Sequence, residues 1–80
     1  MTTREKRHLK IKNSPGNVRF EEAEAWLISF GFVEREAKGS HKVFTHPFWD
    51  GKLTMQSHKG KVKAYQIRQA LKAIEEVHHV

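Results

Sequence analysis

Histidine and lysine are the residues of this 80-residue chain that could do acid–base chemistry on an anionic substrate. Histidine titrates near neutral pH without a special environment. His41 is the strongest of the six candidates, because it follows Gly39-Ser40, where a tight turn can bring the backbone close to a phosphate. We therefore predict that His41 is the general base or acid when a ribose 2′-hydroxyl attacks its own phosphodiester. That route requires no metal and no other cofactor.

Positive charge is concentrated around this histidine. Residues 38–63 carry six lysines against Asp50 alone, a net charge of +5, within a chain of net charge +6. Ammonium groups would stabilise the charge that develops on the phosphate oxygens and would make binding salt-sensitive. A solvated lysine-rich surface with no partner is the alternative explanation of this charge. The predicted RNA contacts are Lys38, Ser40, Lys42, Lys59, Lys61 and Lys63.

A metal site is not expected. His41 and His46 are five residues apart on one predicted strand, so their side chains point to opposite faces of the sheet. His58 alone cannot complete a site, and it is kept as a candidate accessory acid–base group. Since the chain contains no cysteine, thiolate ligands, thiol catalysis and disulfides are also excluded.

Sequence patterns predict which elements position these residues. Residues 1–17 have a net charge of +4 and few apolar side chains, and we expect a flexible basic leader in which Leu9 and Ile11 could add a short edge strand. Residues 18–80 are expected to form one domain. Within it, helical periodicity marks residues 19–30 and 64–77. The predicted strands are residues 32–38, 41–46 and 52–57, with an Asp50-Gly51 turn before the last.

This order predicts an α+β domain, α-β-β-β-α, with two helices on one face of a three-stranded antiparallel sheet. Phe44 should point toward the helices, so that His41, Val43 and Thr45 share the open face. Trp26 and Ile28 lie about 80° and 120° from the centre of the first helix's apolar stripe. Each therefore either extends the core edge or is exposed.

Size and hydropathy narrow the class of protein. A chain of 9.4 kDa is too small to enclose several cofactors. No apolar run approaches the length of about 18 residues that a membrane span needs. The first 17 residues contain no apolar signal-peptide centre. We therefore expect a cytoplasmic protein.

Several motifs resemble the HicA family of messenger-RNA interferases from type II toxin–antitoxin systems. They are Gly31-Phe32 at a helix end, Lys38-Gly39-Ser40-His41, Phe44, His46-Pro47, and His58-Lys59-Gly60 before a closing helix. The resemblance covers about residues 18–77. It implies a fold similar to a double-stranded-RNA-binding domain and ribonuclease activity that depends on His41. It also implies a HicB-like antitoxin that covers the active face.

Other functions remain open from the residues alone. A non-catalytic RNA-binding module would keep the lysines and lose little when His41 is replaced. A protein-interaction domain would use Trp26, Ile28 and Trp49 as an apolar docking patch. Double-stranded DNA binding ranks last, because no predicted helix combines a basic face with a recognition role.

Overall fold

The computed structural model describes residues 2–39 and 41–78, apart from the side chains of residues 36 and 37. It confirms the α+β class, with three helices and one antiparallel sheet. In chain order the elements are α1 (Thr3–Asn13), β1 (Val18–Arg19), α2 (Phe20–Ser29), β2 (Val33–Lys38), β3 (His41–His46), β4 (Trp49–His58), β5 (Lys61–Val62) and α3 (Ala64–Val77).

The sheet has five strands in the order β1-β5-β4-β3-β2, so the prediction of three strands was wrong. The three expected strands are β2, β3 and β4, which pair in sequence. The two additional strands have two residues each and pair with one another, while β5 also pairs with the end of β4. Two residues are too few to show an alternation of apolar and polar side chains, which is why the sequence pattern did not indicate them.

The predicted limits of β3 and α3 match the structure, and α2 is one residue shorter at each end than expected. The strand β4 begins earlier than expected, at Trp49, and includes Asp50 and Gly51. The predicted Asp-Gly turn is therefore wrong. The turn lies instead at Pro47 and Phe48, since His46 pairs with Trp49. Within the strand, the Trp49 ring covers Gly51 and leaves no room for a Cβ atom there.

The segment before the sheet differs most from the expectation. Residues 3–13 form helix α1 rather than a disordered leader or an edge strand. The Thr2 hydroxyl caps its first turn by accepting from the Glu5 backbone N–H at 3.2 Å and donating to the Glu5 carboxylate at 3.1 Å. Threonine and glutamate three residues apart are typical of a helix start. Ile11, with 1% of its surface exposed, anchors the helix to the core.

The core lies between the sheet and the helices. Phe44, Leu53 and Met55 point from the central strands toward α2 and α3 and are buried. Helix α1 contacts both α2 and α3. Trp26 is fully buried, and its indole N–H donates to His8 of α1. The sequence left open whether Trp26 extends the core edge or is exposed. Helix α1, which the sequence pattern did not indicate, helps to bury it.

Candidate nucleic-acid interface

Alternation along β3 separates a core face from an open face. Phe44 and His46 are buried against the helices, whereas His41 is exposed and Val43 and Thr45 are only partly covered. Successive strand residues point to opposite sides. His41, Val43 and Thr45 therefore share the open face, as the sequence predicted.

The imidazole of His41 borders a shallow hollow of about 260 Å³, which Lys38, Val43 and Thr54 also line. Lys38 is the register partner of His41 across the β2–β3 turn. Directly opposite partners in an antiparallel pair project on the same side of the sheet. The hollow thus combines a titratable ring, a cation and a hydroxyl group at the solvent surface. Ser40, a predicted phosphate contact, lies outside the described residues.

Arg35 and Lys52 add charge to the open face and were not among the predicted contacts. The Nε of Arg35 donates to Thr45 Oγ1 at 3.2 Å. Lys52 is exposed and has the same parity along β4 as Thr54. A register shift between Glu34 and Glu36 changes the alternation of β2, which is why sequence parity alone did not identify Arg35.

Lys42 lies on the other side of the sheet from His41. Its ammonium group forms ion pairs with Glu24 of α2 and with Glu34 of β2, the latter at 3.2 Å. These carboxylates raise the pKa of Lys42, with the hydrogen bond to Glu24 contributing most. The side chain also approaches the Phe20 ring, 5.6 Å from its centroid. Lys42 therefore links the sheet to α2 and does not join the hollow at His41.

The remaining predicted lysines lie on or next to the β4–β5 hairpin. Lys59 and Gly60 form its two-residue turn with φ values of 54° and 82°, the left-handed geometry of the commonest hairpin turns. Lys61 pairs with His58, and both are exposed. Lys63 is exposed at the N-cap of α3. The hairpin therefore brings His58 and three lysines to one end of β4.

His46 has a structural role. Its Nδ1 accepts from the Phe48 backbone N–H at 3.1 Å, so the neutral ring carries its proton on Nε2. That Nε2 lies 3.1 Å from the Phe30 carbonyl oxygen, to which it donates. The ring therefore ties the β3–β4 turn to the end of α2, and both its nitrogens are occupied.

His8 also lies away from the open face. Its Nδ1 accepts from the Trp26 indole at 3.1 Å. Burial lowers the pKa of His8, and the charges of Lys12 and Arg4 lower it further, against an opposing contribution from Glu75. This histidine is therefore held in its neutral form between α1 and α2.

The apolar docking patch considered from the sequence does not exist as a unit. Trp26 is fully buried. Trp49 packs against the core, and its indole N–H donates to Glu76 of α3 at 2.6 Å. Of the three side chains, only Ile28 is largely exposed, at 55%. A protein-interaction function would therefore need a different surface.

The described ranges 2–39 and 41–78 show neither a candidate metal cluster nor a membrane-spanning helix. They contain no cluster of three or more His, Cys, Asp or Glu side chains arranged to hold a metal ion. Within the same ranges, no helix has the length and apolar character needed to cross a bilayer.

Comparison with known proteins identifies the family. The model of the HicA toxin of bacterial toxin–antitoxin systems matches residues 20–75, which include all of β2, β3, β4 and the hairpin. No curated protein and no solved structure gives a significant match. Because the family match extends over more than half of the sequence and includes the hollow at His41, the chain belongs to the HicA toxin family.

Proposed function

We propose that this HicA-family toxin is an endoribonuclease that cleaves messenger RNA, with His41 as its principal acid–base residue. The observation that carries the proposal is the exposed imidazole of His41 in a hollow that Lys38 also lines. A ring buried under the helices could not reach a phosphodiester. The family membership supports a toxin function independently of this geometry.

The proposed reaction is an internal transesterification. His41 takes the proton of a ribose 2′-hydroxyl, whose oxygen then attacks the adjacent phosphorus. The P–O5′ bond breaks, which leaves a 2′,3′-cyclic phosphate on one fragment and a 5′-hydroxyl on the other. Lys38 stabilises the additional negative charge on the phosphoryl oxygens during the attack.

The leaving 5′-oxygen must gain a proton, and His58 is our candidate donor. His41 pairs with Gln56, and His58 follows two residues later with the same parity along β4. Typical strand spacing and rise put the Cα atoms of the two histidines about 8 Å apart. Long side chains on one face can span that separation around a single phosphodiester. In the reverse assignment, His58 is the base and His41 the acid.

The proposal also includes the fold relation, the antitoxin partner and the cellular location that the family implies. Two helices, α2 and α3, cover one face of an antiparallel sheet, which supports a fold related to double-stranded-RNA-binding domains. The uncovered face is where a HicB-like antitoxin would block access to RNA. RNA contacts through Lys38, Lys59, Lys61 and Lys63 would be made in the cytoplasm, where messenger RNA is available.

The test is cleavage of end-labelled RNA by the wild type, His41→Gln and a control, Gln69→Ala, at an exposed position on α3. Loss of one acid–base group should reduce the rate by about 10²- to 10⁴-fold in His41→Gln. The control should keep the wild-type rate. The wild-type products should carry cyclic phosphate ends, and chelators should not inhibit their formation.

Two outcomes would reject the proposal. Equal cleavage by the wild type and His41→Gln would exclude His41 as the catalyst. RNA binding without cleavage by the wild type would instead identify a non-catalytic RNA-binding module. Expression in bacteria gives a second readout, since growth arrest should require His41 and should be relieved by the cognate antitoxin.

A further inference from the structure

Three side chains form a row at the β1 edge of the open face, and we call them the edge row: Arg19, Lys61 and His58. Lys61 pairs with Arg19 on one side and with His58 on the other. The alternate positions Val18 and Val62 are buried, at 1% and 2% exposure. The edge row must therefore point away from the core, to the same side as His41.

The edge row places two positive charges opposite each other. Arg19 and Lys61 are directly opposite in the β1–β5 pair. Like charges at such positions destabilise a sheet. Among the ion pairs of the described side chains, none includes either residue. The Lys61 ammonium donates instead to the neutral Asn17 Oδ1 at 3.0 Å. A bound anion would relieve the repulsion that the protein maintains here.

The backbone holds the edge row in place. The Phe20 N–H donates to the Gly60 carbonyl at 3.0 Å, which fixes the end of β1 to the hairpin turn. Lys59 adopts a positive φ of 54° in that turn. Arg19 and Lys61 are thus presented from a fixed backbone rather than from a mobile tail.

The edge row lies where an RNA strand bound at His41 would continue across the sheet. The Cα atoms of His58, Lys61 and Arg19 lie about 8, 12 and 16 Å from that of His41, from typical strand spacing and rise. A line through these positions runs across the strands of the sheet. Proteins that bind single-stranded nucleic acids commonly use such a positively charged track for the backbone, together with aromatic side chains on which the bases stack.

We propose that Arg19 and Lys61 form a phosphate-binding subsite for the RNA backbone on one side of the scissile bond. The subsite rests on the proposed function, since it presumes an RNA substrate at His41. It adds Arg19, which lies outside the matched family region of residues 20–75. It also gives the bound RNA a path over the surface, from the hollow at His41 across β4 and β5 to the edge at β1.

The test measures binding of a non-cleavable 2′-deoxy-substituted dinucleotide and of an equally substituted oligoribonucleotide of about 12 nucleotides, a length within the range of single-strand site sizes. The variants are Arg19→Gln and Arg19→Glu, with Arg68→Gln and Arg68→Glu as controls on the exposed surface of α3. For the longer oligonucleotide, Arg19→Gln should raise Kd by about 1.4- to 5-fold, the effect of one exposed ion pair. Its salt dependence should fall by about 0.7 in slope.

A charge reversal separates binding from folding. Arg19→Glu places a carboxylate opposite Lys61, so thermal stability should rise or stay unchanged while RNA affinity falls further than in Arg19→Gln. Both substitutions should have little effect on the shorter oligonucleotide. If the Arg19 variants bind the longer RNA as the Arg68 variants do, the subsite is refuted while the cleavage proposal stands. If the wild type binds no RNA, both proposals fail together.

Discussion

Replacing Ile11 by alanine tests whether α1 is an integral part of the folded domain. Ile11 is 1% exposed and is the only buried side chain of that helix among the described residues. Truncating a buried isoleucine to alanine costs about 2–5 kcal/mol through lost burial and the cavity left behind. A small domain has a total stability of about 5–15 kcal/mol, so this loss would be a large fraction of it.

The assay is chemical and thermal unfolding of Ile11→Ala beside Leu9→Ala, which removes a side chain that is 42% exposed on the same helix. The melting temperature of Ile11→Ala should fall by about 8–40 °C, since a loss of about 2–5 kcal/mol is expected and 1 kcal/mol shifts the melting temperature of a domain of this size by about 4–8 °C. The melting temperature of Leu9→Ala should fall much less. Equal and small losses in the two variants would show that α1 does not pack on the domain in solution.

Three further predictions concern the residues that support the site. Gly31→Ala should destabilise the fold by at least about 1 kcal/mol in urea unfolding. Gly31 has a φ of 91°, and a Cβ atom there would lie 3.0 Å from His46 Nε2. Unchanged stability would contradict this close approach. The pKa of His8 is lowered in the folded protein, so the unfolded chain binds the proton more readily and stability should fall as the pH drops below about 6.5. His8→Gln should reduce that pH dependence of the urea midpoint, and an identical profile would contradict the assignment. Lys42→Gln should weaken RNA binding less than Lys38→Gln in matched titrations, since its ammonium group is held by two carboxylates on the helix side; an equal loss would show that Lys42 also reaches RNA.

The central elements of the fold were predictable because their patterns are long. The amphipathic repeat of α3 and the bounds of β3 needed no tertiary information. Helix α1 was missed because its apolar content is low and only Ile11 is buried. A start signal was present in Thr2 and Glu5, but charge composition suggested a disordered arm. The strands β1 and β5 are held by pairing, which no local pattern encodes.

The candidate site was predictable in part. The parity of β3 placed His41 on the open face, but Lys42 was assigned to the same interface although the next residue of a strand points to the other side. Consistent use of the alternation would have separated these two residues. Arg19 was missed for another reason, since its position opposite Lys61 depends on a pairing between segments 42 residues apart in the chain.

The division of β3 between two faces has a consequence for how this protein can evolve. Positions 41, 43 and 45 project from one side, and positions 42, 44 and 46 hold the helices on the other. Point substitutions on the outer positions can alter the surface proposed to meet RNA with little effect on stability. An insertion or deletion of one residue is different, because it would turn His41 inward and expose Phe44. Natural variation in this strand should therefore consist of exchanges at fixed length.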